Sequence, residues 1–391
     1  MQKFYFDIRD IFRAPRLALS GKKLYVQTSG FVVGYLGFLL FSYIAHLSSG
    51  MTLSEVWQNY GLFPLYDFYF DGFFPWLIFI IGCLFFISVL FVFNAAVGKI
   101  TYEQLKGDDF YSSKDSCKFM KKNWKAVLLS PLSILALVII LVICGIVIGL
   151  IAKIPYIGEL GLGFFYGIPI FVVALFTVYT IFIFVISLLL TPSIVATTKE
   201  DVFETLIQLF SSIWSQPWRY FIYTGISAVL AKLGAFILGY FCYRGVQLVN
   251  WSAGFLMKDK LSDIIDGALG YLTLPPSILS FFTNIFPGVQ FAYIIPEAEW
   301  GIDLNWSQGI AALLIGITFI LIIFVVISYA LTTFTIGQTL TYIVIRKKKD
   351  DESLLERKTE EEEEEETRVE DEDLKTHEGE ELREKPKPDT Q

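Results

Sequence analysis

Residues 127–152 read VLLSPLSILALVIILVICGIVIGLIA, a run without a single charged side chain. As a helix at about 1.5 Å per residue it reaches roughly 39 Å, more than the ~30 Å hydrocarbon layer of a bilayer. A helix that is apolar all round belongs in lipid or in the core of a large protein. The backbone of a segment in lipid must satisfy its own hydrogen bonds, which makes the run a helical span.

Five further stretches are long and apolar enough to span, at about 25–47, 72–97, 163–190, 219–242 and 309–333. The fold class expected is an all-α integral membrane protein, a six-span helical bundle. Composition agrees: 54% of the 391 residues are hydrophobic and 17% aromatic, and the mean hydropathy is +0.56. Only 18% are charged, against about 25% in an ordinary soluble domain. Polar, basic residues 1–23 lead directly into a span-length stretch, so no cleavable signal peptide is expected.

Lysine and arginine placement orients the bundle. Basic residues gather before the first span, between the second and third, where Lys99 to Lys125 hold seven lysines, and after the last, at Arg346–Lys349. The connection between the first two spans has none. Both termini are therefore expected on the cytoplasmic side of a cell membrane.

The chain also repeats itself faintly. Three segments precede pairs of spans: FDIRDIFRAPRLALSGKKLY, YSSKDSCKFMKKNWKAVLL and VFETLIQLFSSIWSQPWRYFI. In the second and third a tryptophan and a basic residue stand together, Trp124-Lys125 and Trp218-Arg219, as interfacial anchors. This suggests three repeats of an amphipathic surface helix followed by a transmembrane hairpin, and equally an anchoring requirement common to any hairpin. In the third segment Val202, Leu206, Leu209, Phe210, Ile213 and Trp214 recur at helical spacing, with Ser211, Ser212 and Gln216 elsewhere.

Residues 1–349 form the expected membrane domain, with a large external insertion at 248–308. Within it, Met257, Leu261, Ile264, Ile265, Ala268, Leu269 and Leu272 predict one apolar helix side. The proline-rich stretch that follows reads as a re-entrant segment or an external cap. Trp57, Tyr60, Phe63, Tyr66, Phe68, Tyr69 and Phe70 in the first external connection form either a packed layer with it or an aromatic belt.

Residues 350–391 hold 20 acidic and 7 basic side chains, a net of −13; the 349 before them hold 19 acidic and 24 basic, a net of +5. Glu360 to Glu366 are consecutive. Such a run has almost nothing apolar to fold around and is expected to be a disordered acidic tail. A tail of this sign excludes a nucleic-acid arm.

Candidate chemistry centres on Lys232, inside the fifth span. It stands thirteen residues, or about 20 Å, beyond Arg219. An ammonium at that depth costs about 2.5–3.5 kcal/mol on insertion scales and marks a ligand-facing cavity, a snorkelling side chain or a structural contact. Arg244 and Tyr240 on the same helix extend the cavity reading into a track for anions. Asn94 in the second span is a further polar candidate, or an ordinary interhelical hydrogen bond.

Soluble-type chemistry finds no footing. His46 is the only histidine outside the tail, which rules out HExxH and leaves no metal site or cofactor to predict. Neither GxxxxGK[ST] nor GxSxG occurs. Four cysteines lack ligand or framework spacing, and Gly145 and Gly149 form a GxxxG pattern suited to helix packing. An enzyme is the less favoured class.

The surface segment, the tryptophan-basic pair and the paired spans, with TPSIVATTKEDVFETLIQLFSSIWSQPWRYFIY, resemble prokaryotic multi-span proteins related to the membrane domain of some glycerophosphodiester phosphodiesterases. The resemblance covers about residues 100–245. It implies a helical, lipid-associated domain and carries over no catalytic residue, because the phosphodiesterase portion has no counterpart. The function expected is a noncatalytic scaffold or a lipid- or partner-binding protein, the partner met at the external segment or the acidic tail. The alternative is a transporter or channel for an anionic or amphipathic solute.

Overall fold

The computed structural model describes residues 4–62, 70–199, 201–272, 280, 283–286, 304–351 and 353–356. Among them the secondary structure is helical. Six helices are long and apolar enough to cross a membrane, and each predicted span falls within one of them to within a residue.

Two short helices, α1 (Ile8–Ile11) and α2 (Ala14–Ala18), lead into α3 (Gly21–Ser48). Asp7 opens α1 by accepting the Arg9 amide at 2.8 Å, and Pro15 sits in the first turn of α2, where its missing N–H has no helical partner to lose. After α4 (Leu53–Tyr60) comes the second span, α5 (Phe73–Lys106), closed by Gly107 at φ +111°, a conformation that needs glycine.

The third span is the long α6 (Ser113–Ala152). Ser112 caps it, accepting the Asp115 amide at 3.2 Å. The fourth consists of α7 (Ile157–Phe165), a π turn at Tyr166–Ile170 and α8 (Phe171–Thr198). That turn surrounds Pro169, so the run absorbs the proline's missing donor by widening one turn. Then come α9 (Val202–Ser215), α10 (Pro217–Met257), α11 (Asp259–Gly270) and α12 (Trp306–Asp350), where Asn305 and Gln308 form a reciprocal cap.

The spans pair most extensively as three hairpins, α3 with α5, α6 with α8, and α10 with α12. What precedes each hairpin differs. Before the first stand two short helices; before the third, α9 is a separate helix because Gln216 leaves the helical conformation (φ −142°, ψ 58°) and Pro217 cannot continue it. Before the second there is no break, and the basic segment and the span form one helix.

The hairpins converge at one end, the base. Phe4 and Phe6 near the start and Leu354 near the end share a cluster there with Tyr102, Ile194, Leu209, Tyr220 and Tyr342. Ile11, Ala14 and Ala18 join a second with Ile100, Ile336 and Leu340. Both ends of the described chain therefore lie on the same side of the bundle, and packing continues past α12 through the fully buried Leu354. The acidic residues from 357 onward lie outside the described residues.

Away from the base the α6/α8 hairpin stands clear. From Leu137 to Ile151 the large side chains of α6 are largely exposed on every side, as are those from Ile157 to Val173. Gly145 and Gly149 have nothing within 4 Å of where a Cβ would sit, so their GxxxG pattern joins no other helix among the described residues.

At the far end α11 lays Ile264 and Ala268 against α12 around Ala312, and Leu272 joins a cluster with Phe31, Ile320 and Phe324, against which Leu62 packs. Of the predicted apolar side, Ile264, Ala268 and Leu272 are buried and Leu261, Ile265 and Leu269 half-buried, while Met257, the last residue of α10, stays exposed. Tyr60 stacks on His46 at 4.2 Å, and Phe70 meets Trp76 and Phe79, folding the first connection back on its own hairpin. Residues 63–69 and most of 273–303, the proposed cap or re-entrant stretch, lie outside the described residues.

Candidate functional site

Lys232 projects from the middle of α10 on an exposed side, among the exposed Val229, Leu233 and Phe236. Its Nζ lies 5.4 Å from the ring centroid of Phe286, and Phe286 stacks on Phe236 at 6.0 Å. The described turn 283–286 therefore reaches the helix at Lys232, giving the ammonium an aromatic face. Such a contact is worth up to about 2 kcal/mol when desolvated, much of the ~2.5–3.5 kcal/mol cost of a cation at this depth.

Arg244 is not brought to Lys232. Twelve residues of helix separate them by about 18 Å and a third of a turn. Arg244 instead closes a ladder on its own helix: Nε donates to Tyr240 Oη at 3.0 Å, Nη1 donates to Gln247 Oε1 at 2.8 Å, and Gln247 donates to Tyr243 Oη at 2.6 Å. Asn94 accepts from Gln27 Nε2 at 3.0 Å and so ties α5 to α3.

The anchor residues occupy exposed positions near the base. Trp124 is 45% and Trp218 78% exposed. Lys125 and Arg219 beside them are also exposed, and Arg219 donates to Gln216 Oε1 at 2.5 Å. In α9 most of the predicted apolar stripe turns inward: Leu209 and Ile213 are buried, and Val202, Leu206 and Phe210 pack half-buried against core clusters. Ser212, Thr205 and Gln208 are buried with them, while Trp214 and Phe203 point outward.

That inward polar side belongs to a constellation that pattern reading passed over. At the base, Lys23 Nζ donates to Gln104 Oε1 at 2.8 Å, joining α3 to α5 across 81 positions. Lys99 and Glu103 form an ion pair at 2.5 Å with side chains 3% and 9% exposed, and the Lys99 ammonium lies 5.1 and 5.4 Å from the rings of Tyr102 and Phe119. Arg346 bonds Gln208 of α9 and pairs with Asp350 at 3.0 Å. Thr339 meets Ser193 at 3.2 Å, Gln338 donates to Thr224 at 3.2 Å, and Tyr329 Oη donates to the Pro15 carbonyl at 3.2 Å. The last reaches from α12 to α2.

A signal for this was present. TTFTIGQTLTY at 332–342 and TPSIVATT at 191–198 place hydroxyls and an amide inside apolar helices, and nearly all of them are buried. In a helix such groups donate back to the carbonyl four residues earlier, as Thr333, Thr339 and Thr341 do, or cross to a neighbour. Thr339 and Gln338 are the members that tie one helix to another.

Among the described residues, no three His, Cys, Asp or Glu side chains come together as a metal ion would require, and the four cysteines are free. The positive side chains concentrate at the base. Lys114, Lys118, Lys121, Lys122 and Lys125 are all exposed along the first half of α6. No family model, curated protein or solved structure matches this chain, so its class rests on its own features: a multi-pass, all-α membrane protein with six candidate spans.

Proposed function

We propose that this protein is a noncatalytic membrane component that acts by binding lipid or a protein partner at its surfaces, in a cell membrane with both termini cytoplasmic. One observation carries the reading. Several buried polar groups of the base are taken up in ties between helices, Lys23 to Gln104 and Thr339 to Ser193 among them, and Lys99 pairs with Glu103 on its own helix, while Lys232, the one basic residue deep in the fifth span, stands on an exposed side of α10 against a ring. A transport path needs polar groups that converge around a solute and exchange partners with it. Lys232 and Arg244 do not converge. The working surfaces are then the exposed helix faces, the basic base and the far-end connections.

The test uses the full chain in liposomes that enclose a halide-quenched dye. Chloride influx should match protein-free liposomes for the native chain, for Lys232→Leu and for Lys232→Arg. Influx seen with the native chain, abolished by Lys232→Leu and kept by Lys232→Arg, would establish an anion path and replace this reading with the transporter.

A further inference from the structure

The strongest unexplained charge on the molecule is the lysine row of α6. At 100° per residue, positions 114, 118, 121, 122 and 125 fall within about 100° of arc, so all five lie along one side of the helix. The opposite side carries the buried Ser116, Phe119, Ala126 and Val127. Lys118 pairs with Asp115 at 3.2 Å, and no described residue pairs with the other four. Asp108 and Asp109 lie exposed in the connection just before, with Asp108 capping the amides of Phe110 and Tyr111.

A membrane surface accounts for only part of this row. Trp124, which closes the apolar run, sits at headgroup level. Because α6 is continuous, Lys118 and Lys114 stand six and ten residues farther from the bilayer, about 9 and 15 Å. The headgroup layer on each side is only roughly 5–8 Å deep, so those two lysines point past it.

The chain carries a soluble counterpart of matching charge. Leu354 is fully buried and its carbonyl accepts from Tyr102 Oη at 2.6 Å, which pins the start of the tail to α5. Lys99 lies over both Tyr102 and Phe119, so that anchor is within about 10 Å of the inner side of α6, and the lysine row is one helix diameter, another ~10 Å, farther. Glu360–Glu366 begin four residues after Glu356 and end ten after it. Extended chain spans roughly 13 to 35 Å over those lengths, which brackets the distance. A tether this short gives an effective concentration on the order of millimolar.

We propose that the lysine row of α6 is the docking face for the chain's own glutamate run, Glu360–Glu366. Docked, the run covers Lys114, Lys118, Lys121, Lys122 and Lys125 and closes the basic face to other anions until it is displaced. Attraction between exposed charges weakens as salt shortens the Debye length from about 8 Å to 3 Å, so the clasp opens at high ionic strength. This inference does not depend on the functional reading above; it needs only that both ends share one side of the bundle.

Carbodiimide coupling of the full chain in nanodiscs of phosphatidylcholine, read by peptide mass spectrometry, tests it, because the reagent joins a lysine amine to a carboxylate it touches. Links between residues 114–125 and 360–366 are expected at 150 mM salt. They should fall at least fivefold at 1 M salt, and also in full-length chain carrying glutamine at 360–366. Links of that run to Lys347–Lys349 but not to the α6 row would overturn the proposal. So would an α6 row free of links in phosphatidylcholine whose amines become protected only in phosphatidylglycerol discs, and equally so with glutamine at 360–366, since the row would then serve headgroups.

Discussion

The base and the far half of the α6/α8 hairpin are built from the same kind of helix and differ in almost everything else. At the base, six helices meet around hydroxyls, amides and an ion pair, and several crossings have a named bond: Lys23 to Gln104, Thr339 to Ser193, Arg346 to Gln208. Beyond it about 23 Å of α6 by helix rise, residues 137–151, is exposed on nearly every side and forms no polar tie to another described helix. Lipid tails are as apolar as leucine, so apolar contact alone gives a span no preferred neighbour; hydrogen bonds and close packing do. The base fixes the arrangement of the bundle, and the hairpin extends from it.

Glycine substitutions should break this contrast most strongly. A Cβ at Gly337 would overlap Ser227 of α10, and one at Gly98 would come within 2.9 Å of Ala196. Gly337→Val is expected to lower stability by roughly 1–3 kcal/mol through overpacking at a crossing that cannot widen. Gly145→Val, in open surroundings, should stay within about 0.5 kcal/mol. Steric-trap unfolding in bicelles measures both, and equal losses would remove the distinction between the two regions.

The buried ion pair sharpens the same point. Glu103→Leu alone strands the Lys99 ammonium among Tyr102, Phe119 and the helices around them, an effect of about 3–5 kcal/mol. Lys99→Leu with Glu103→Leu should recover most of that loss, because two apolar side chains replace a pair that was costly to desolvate. If the double variant is as unstable as the single one, the pair has a role beyond neutralising itself.

A smaller effect is expected at the far end. The Thr52 amide donates to Glu55 at 2.7 Å and holds its carboxyl below the usual carboxylate range. The lowered value means that the cap of α4 contributes above the unfolded carboxylate pKa and is lost as pH falls through the folded one. Amide-exchange protection factors over 52–56 should fall at acid pH in the native chain and be low at all pH in Glu55→Ala.

The spans were legible because an uncharged run of 127–152 leaves little choice, and α9 was legible as a separate helix because Pro217 follows it. The continuity of α6 was also written in the chain: no glycine or proline stands between Ser112 and Pro131, and its lysines were taken for a surface helix only by analogy with α9. Lys99 and Glu103 show the i, i+4 spacing of a pair, but their burial depends on Phe119 arriving from α6. Gln208 and Arg346 lie 138 positions apart, and no local pattern joins them. The same holds for Lys232, whose depth follows from counting residues while its ring partner comes from a turn more than fifty residues later.

The contrast between locked base and free hairpin is tested most directly by spin labels placed one at a time along α6 at 137–151 and along α8 at 186–197, in lipid nanodiscs, with collision rates to oxygen and to a water-soluble nickel chelate. High oxygen accessibility without helical periodicity is expected along 137–151, and low accessibility to both reagents at 186, 190, 193 and 194. A 3.6-residue rhythm with a protected side along 137–151 would mean that the hairpin is covered, and would contradict the division of the molecule into these two regions.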